Sequence, residues 1–265
     1  MAATDTIRVG LIGLGAIGQR VISLIEDQRM SQIEIVGALV RDTQRSRPDQ
    51  SIPLVSTAAE LLALEPEVVV EAAGHDALSD HGPAILRSGC DLLFLGVGAF
   101  ANPEVEKRMY DAATEGGGRA RVVSGAIGAL DAISAAAVGG ITSVTHTTRK
   151  TARTLLAAEE ADKLTDAVEI FKGNAREAAL LFPESINVAA AVSLAGIGLD
   201  KTEVCIFADP NVTRNRHEVE VDGEFGWLKF EIEGIPTEEN PRTGRLVAMS
   251  VVRQLLLRRA PIMLG

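Results

Sequence analysis

The sequence predicts an α/β chain: a doubly wound parallel sheet followed by a second domain of α+β type. Three observations carry this. The first half alternates short, almost wholly apolar runs with amphipathic stretches, the pattern of parallel strands covered on both faces by helices. A glycine-rich turn, Gly13-x-Gly15-x-x-Gly18, joins the first apolar run to the first helical stretch. After Gly125 the strands become Thr- and Val-rich and alternating, which reads as antiparallel and half exposed.

The elements follow in order. Ile7 to Ile12 is the first strand, and Gln19 to Glu26 the first helix, with Ile17, Val21, Leu24 and Ile25 along one face. Between them, each glycine has a physical task. Gly13 makes the tight turn, Gly15 lets backbone approach a pyrophosphate, and Gly18 lets the helix lie close on the strand. With Ala16 and Ile17 they form a Rossmann-type phosphate-binding turn, whose helix start offers free N–H groups and a positive dipole end. The expected ligand is NAD or NADP; a βα turn that holds nothing is the alternative. Ile33 to Val40 is the second strand, and the polar stretch Arg41 to Ser51, with Pro48, a loop. Thr57 to Leu64 is a short helix, Val68 to Ala73 a buried strand, and Asp76 to Ser88 a helix with Pro83 near a bend or break. Asp91 to Val97 is a strand. A helix opens at Asn102-Pro103 and ends by Glu115 to Gly118, and Arg121 to Ser124 is a further strand.

The dinucleotide-binding domain is therefore expected over residues 1–125 and the α+β domain over 126–240. In the latter, Ala129 to Val138 reads as a helix and Ile141 to Arg149 as a strand. Ala175 to Phe182 and Ile186 to Gly196 are helices, and Thr202 to Asp209, His217 to Val221 and Gly226 to Ile232 are strands. Pro241 to Arg258 is a long helix with a broad apolar face, and the segment 241–265 is expected to pack back on the first domain.

Composition narrows the function. The 265 residues are 46% hydrophobic and 23% charged, enough for a sizeable aliphatic core, while aromatics are only 3%. The formal net charge is −10, without lysine or arginine runs, so nucleic acid and anionic membranes are poor partners. The two cysteines, Cys90 and Cys205, form no Cys-x-x-Cys motif and suggest buried thiols in a reducing compartment, the cytoplasm. The first six residues lack the charged and apolar regions of a signal peptide, and no apolar run has membrane-spanning length. Nothing suggests a metal site.

Several residues are placed to do chemistry. Asp42 lies 24 positions after Gly18, where an acidic residue commonly binds the adenosine ribose of NAD, while its neighbour Arg41 suits the 2′-phosphate of NADP. Together they suggest use of both; a solvated loop pair is the alternative for either. Ala72 to His75 and Gly96 to Ala99 end two parallel strands, where small residues leave room for a ligand. Ser124-Gly125-Ala126-Ile127-Gly128 lies at the domain boundary, and the backbone around Ala126 is a candidate to hold the nicotinamide. Asn187 opens an apolar helix and either meets the nicotinamide carboxamide or caps the helix. Arg149 and Lys150 are cations at a strand end that suit a dicarboxylate, with a solvated pair as the alternative. In Asp209-Pro210-Asn211 and the following Arg214-Asn215-Arg216-His217-Glu218, His217 stands where a polar loop meets a strand. Among His75, His81, His146 and His217 it is the best candidate base, with a structural histidine as the alternative.

The second half carries further motifs in order: Gly173-Asn174-Ala175, Phe182-Pro183, Ile186-Asn187-Val188-Ala189, Leu194-Ala195-Gly196, Ala208-Asp209-Pro210, Asn215-x-His217 and Glu239-Asn240-Pro241-x-Thr243. With the glycine turn and Ser124 to Gly128 they resemble the L-aspartate dehydrogenase family over nearly the whole chain. The resemblance implies reversible NAD- or NADP-dependent oxidation of L-aspartate to iminoaspartate, linked to NAD biosynthesis, in a homodimer. It makes His217 the active-site histidine and Ala126 and Asn187 contacts of the nicotinamide cofactor. The imine then passes to a downstream enzyme or hydrolyses to oxaloacetate and ammonia. One departure stands out: Thr151-Ala152 follows Lys150 where the family suggests a Lys-Pro-Pro-like run, which puts a substrate role for Lys150 in doubt. Two other readings share the glycine turn, a reductase of the dihydrodipicolinate or homoserine type and a non-catalytic NAD(P) sensor.

Overall fold

The structure, a computed structural model, describes residues 6–45, 52–183, 186–238, 240 and 243–263. The chain forms two compact units, residues 1–125 with 247–265, and residues 126–246.

The first unit is built on a six-stranded parallel sheet. Its strands are β1 (Ile7–Ile12), β2 (Ile33–Leu39), β3 (Leu54–Val55), β4 (Val68–Glu71), β5 (Asp91–Phe94) and β6 (Ala120–Val122). Their order is β3-β2-β1-β4-β5-β6, every pair parallel. The order reverses between β1 and β4, so a crevice opens beyond the carboxyl ends of those two strands. Val9, Leu11, Val68, Val69, Val70 and Leu92 are completely buried, as strands covered on both faces require. The helices are α1 (Ala16–Asp27), α2 (Ala58–Leu62), α3 (His75–Arg87) and α4 (Pro103–Gly116). α1 starts inside the glycine turn, three residues before the expected Gln19. α3 runs unbroken through Pro83, which is buried together with Gly82. α2 opens on a capping box of Thr57 and Glu60, and α4 on the Asn102 side chain with Pro103 in its first turn.

The second unit holds a five-stranded sheet with α5 (Leu130–Gly139), β7 (Ile141–Thr151), the short helices α6 (Ala152–Leu155) and α7 (Ala158–Ala161), and β8 (Val168–Asn174). Then come α8 (Ala175–Leu181), α9 (Asn187–Ala195), β9 (Glu203–Asp209), β10 (Arg216–Gly223) and β11 (Gly226–Glu233). The strand order is β11-β10-β7-β9-β8. The sheet is not wholly antiparallel as expected, because β7 and β9 pair in parallel. A parallel pair needs a long crossover, which the segment α6 to α9 supplies. β8, an edge strand with Lys172, Gly173 and Asn174 at its end, carries too weak an apolar alternation to be read from sequence. One sheet face packs Val144, Val219 and Val221 against Ile133 and Val192 of α5 and α9.

The final helix, α10, spans Leu246–Leu257 and starts later than expected from Pro241; Pro241 itself, like Pro48 and Glu239, lies outside the described residues. Residues from Val247 onward belong to the first unit. There Arg258 pairs with Asp91 at 2.8 Å and Arg259 with Glu67 at 2.6 Å.

Candidate functional site

The glycine turn has the geometry of an anion site. Gly13 takes φ +94°, and a Cβ there would lie 2.7 Å from the Cβ of Ala73, so the turns after β1 and β4 press together. A Cβ on Gly18 would run into the Gly13 carbonyl oxygen, so glycine is what lets α1 begin against the strand. Gly15 is different: a Cβ there would meet nothing within 4 Å. The fold does not demand glycine at that position, and the space it keeps open lies at the N-terminus of a twelve-residue helix. That helix start has no side-chain cap and no acidic residue in its first turn. Its N–H groups and dipole are thus left to an outside anion, and the residues fit a dinucleotide pyrophosphate. Arg41 and Asp42 are exposed just past β2, with Asp42 Oδ1 accepting the N–H groups of Gln44 and Arg45 at 2.8 and 3.2 Å. Asp42 therefore shapes its own turn as well as facing solvent.

Sequence reasoning missed the residue that ties the crevice together. Glu71, the last residue of β4, is fully buried. Its Oε1 accepts the N–H groups of Ala73 and Gly74, each at 2.6 Å. Its Oε2 accepts those of Gly96 at 2.8 Å and Leu95 at 3.2 Å. One carboxylate thus clips the turns following β4 and β5. Burial pushes its pKa above the ordinary carboxylate range, against the pull of the four N–H bonds. An acidic residue closing an otherwise apolar strand was the available signal. His75, the first residue of α3, stands beside this turn. A cavity of about 1010 Å3 along edge strand β6 is lined by none of the fingerprint residues.

In the second unit, Ala126 and His217 line one pocket of about 150 Å3 together with Thr151, Thr154, Thr213, Arg214 and Asn215. It is small, with hydroxyl, amide, guanidinium and imidazole groups set among apolar residues such as Ile232 and Leu246, and suits a small metabolite. Gly128 helps to place this segment: a Cβ there would lie 2.7 Å from the Phe230 ring. His217 is buried near the start of β10, opposite Thr148 of β7. Its Nδ1 lies 3.3 Å from Nε2 of His146, and the two rings stack with centroids 5.4 Å apart. Burial and then the charge of Lys150 push the His217 imidazole down to about 4. Burial, His217 and Lys150 push His146 well below the usual histidine value. His217 is therefore neutral at pH 7 and has a lone pair to offer.

The pleat explains this grouping. His146, Thr148 and Lys150 alternate along β7, so all three are buried on one face of the sheet, beside His217. That parity was readable in the sequence; the burial of three polar side chains in a row was not. Arg149 points to the other face, where it pairs with Asp209 at 3.7 Å and covers the Phe207 ring. Asp209 also accepts the Asn211 N–H, so that part of the constellation builds a turn. After Lys150 the chain enters α6, which buries Ala152, in place of an extended proline run. Asn187 is the first residue of α9 and does not cap it, since Ile186 holds the cap position without a side-chain bond. Asn187 is not among the residues lining the pocket. Arg214, which sequence reasoning quoted but assigned no role, does line it, with Glu233 3.6 Å away.

Cys90 and Cys205 are buried free thiols, and burial pushes Cys90 up to about 11. Among the described residues, no group of His, Cys, Asp and Glu is arranged to hold a metal ion, and no helix is long and apolar enough to cross a membrane.

Comparison with known proteins gives the same picture from another side. Residues 13–123 match the family model described as homoserine dehydrogenase, NAD binding domain, and residues 131–258 that described as aspartate dehydrogenase, C-terminal. An L-aspartate dehydrogenase of Cupriavidus necator is 40% identical over 94% of this chain and 96% of its own length. One from Pseudomonas aeruginosa is also 40% identical, with the same coverage. The crystal structure of aspartate dehydrogenase from Thermotoga maritima superposes with a TM-score of 0.81 at 26% identity, covering 98% of this chain and 99% of that one. The parallel sheet with its glycine turn, the mixed second sheet and these matches along nearly the whole length place the chain in the L-aspartate dehydrogenase family.

Proposed function

We propose that the pocket around His217 is where L-aspartate is oxidised to iminoaspartate, with NAD or NADP as the oxidant. The chain is an NAD(P)-dependent oxidoreductase by family. The observation that carries the site reading is His217 itself, a buried imidazole held neutral at the wall of a small pocket that also presents Arg214 and three threonines. The dinucleotide, held at Gly13, Gly15, Ala16, Ile17 and Gly18 and met by Ala126 and Asn187, supplies the hydride acceptor when bound. The remaining work belongs to the chain. An amino acid arrives as an ammonium ion and must lose a proton before hydride can leave Cα. His217 faces His146 through Nδ1, so Nε2 is the atom that takes this proton. Arg214 and the hydroxyls of Thr151, Thr154 and Thr213 suit the substrate carboxylates. The net negative charge of aspartate offsets that of Lys150, so binding raises the proton affinity of His217 when it is needed.

The products are iminoaspartate, the reduced cofactor and one proton. The imine reacts with water to give oxaloacetate and ammonia, unless a downstream enzyme takes it up first, as a role in NAD biosynthesis requires. The same reading includes use of either cofactor through Arg41 and Asp42, a homodimer, and a cytoplasmic location that suits two free thiols. The test is reduction of NAD and of NADP, followed separately, with L-aspartate, D-aspartate, L-glutamate and L-homoserine. L-Aspartate is expected to turn over and the others not. A folded His217→Ala protein with full turnover would remove the assignment of the base. Preference for homoserine would favour the alternative reductase, and cofactor binding without turnover of any substrate would favour a sensor.

A further inference from the structure

We infer that His146 is a positioning residue for His217: its Nε2 engages Nδ1 of His217 and leaves only Nε2 of that ring to exchange a proton with the substrate. This rests on the reading of His217 as the base. The geometry is specific. The two nitrogens are 3.3 Å apart, the rings are stacked at an interplanar angle of 17°, and both side chains are buried. Adjacent strands hold the rings in place, because His146 pairs with Val219 and His217 with Thr148.

A neutral imidazole can accept a proton at Nε2 only if its own proton sits on Nδ1. A buried Nδ1–H needs an acceptor, and His146 Nε2 is the one in place. His146 must then keep its own proton on Nδ1, a buried atom without a partner among the described residues. That is the less comfortable tautomer, since unpaired buried N–H groups are rarely tolerated. The opposite tautomer has His146 Nε2–H donating to His217 and presents Nε2–H at the pocket. It offers no lone pair to the substrate and is idle in the forward step. In the reverse reaction the donor is the imidazolium that the forward step leaves, which returns its Nε2 proton and keeps Nδ1–H on His146. One hydrogen bond therefore holds the ring in a single orientation for both directions. Among the described residues, His146 Nε2 is the hydrogen-bonding partner of His217 Nδ1. The charge acting on both rings is that of Lys150 on β7; Val204 and Ile206, which flank them on β9, and Phe230 and Ile232 on β11 carry none.

The experiment compares His146→Phe, which keeps a buried ring and removes both nitrogens, with His146→Gln, which returns a carbonyl oxygen able to accept from Nδ1–H. Turnover of L-aspartate is followed from pH 5 to 9, with Tm as the check on folding. The phenylalanine variant is expected to lose at least about tenfold in kcat with little change in cofactor KM, and to alter the acid limb of the kcat profile. The glutamine variant is expected to recover most of that loss. Wild-type kcat and pH profile in folded His146→Phe would overturn the inference, as would equal loss in both folded variants. If neither variant folds, 15N NMR of the wild-type imidazoles decides: a dominant Nδ1–H tautomer of His217 supports the pairing, and a dominant Nε2–H tautomer or an equal mixture refutes it. His217→Ala separates the two levels. If it retains turnover, the assignment of the base itself falls; if it is inactive while His146→Phe is normal, only the role of His146 falls.

Discussion

Replacing Glu71 by leucine should destabilise the first unit by about 2–4 kcal/mol and weaken cofactor binding with it. Four backbone N–H groups point at this carboxylate. One of them, that of Leu95, also reaches the Glu71 carbonyl oxygen at 3.3 Å and keeps that bond in the variant. Of the other three, the N–H of Gly96 is left buried without an acceptor, while Gly74 is half-buried and Ala73 exposed, so their N–H groups can turn to water. A buried orphaned donor costs about 1–3 kcal/mol and each lost bond to the other two about 0.5–1.5, so the sum lies between about 2 and 6. Removing a buried carboxylate relieves a desolvation penalty, seen in the raised pKa of Glu71, which moves the expectation to the lower part of that range. Glu71→Gln should fall between: its carboxamide oxygen still accepts two of the bonds, while its nitrogen faces two donors. Urea unfolding followed by circular dichroism gives the difference by linear extrapolation. Titration with reduced cofactor, read by nicotinamide fluorescence, gives the binding. A loss below about 1 kcal/mol in Glu71→Leu, with unchanged affinity, would refute the clip argument.

Three other outcomes follow from the geometry. Gly15→Ala should leave stability within about 1 kcal/mol and yet weaken cofactor binding at least tenfold. Gly13→Ala should instead unfold the protein earlier, because φ +94° and the Ala73 side chain both oppose a Cβ; thermal melts with and without cofactor separate the two. The pKa of His217, about 4, lies below the ordinary 6.5, so its stabilisation is present above pH ~6.5 and is lost as pH falls to ~4. That amounts to roughly 3 kcal/mol, measurable as a steeper acid decline than in His217→Phe. For the same reason the acid limb of kcat/KM should lie near pH ~4–5, and that of kcat higher, because bound aspartate lifts the imidazole; coincident limbs would exclude the substrate effect. Arg258→Ala removes the guanidinium from Asp91, a partly buried carboxylate whose pKa is lowered: burial opposes the shift, but the Arg119 N–H and Arg258 outweigh it. Unfolding should become easier by about 1–3 kcal/mol at neutral pH, with a smaller difference in acid.

What the sequence revealed depended on how local the cause was. The glycine turn is a run of six residues whose conformational needs are intrinsic to the chain, and the strands Val68 to Glu71 and Asp91 to Phe94 announce their burial by composition alone. The proposed proton acceptor, His217, was approached through its place where a polar loop meets a strand and through family resemblance, while its ring partner stayed hidden. That partner lies 71 residues earlier and is brought alongside by strand pairing. The parallel pairing of β7 and β9 was likewise hidden, since it is decided by the crossover between them and not by either strand's own pattern. Glu71 shows the opposite failure: position and neighbours were in view, but its bonds run to a turn 24 residues on, which no periodicity records.

The division of the chain also has a consequence for its synthesis. Residues 126–246 form an uninterrupted segment, whereas the first unit draws on both ends of the polypeptide. As the chain leaves the ribosome, the inserted unit can close as soon as it has emerged. The parallel sheet made before it must wait for the segment from Val247 onward, when Arg258 and Arg259 arrive to meet Asp91 and Glu67. Until then the surfaces that α10 covers, where Val251 and Leu255 become fully buried, stay open to solvent. The unit that is begun before the other is thus completed after it, and a chain lacking Arg258 and Arg259 loses their pairs with Asp91 and Glu67.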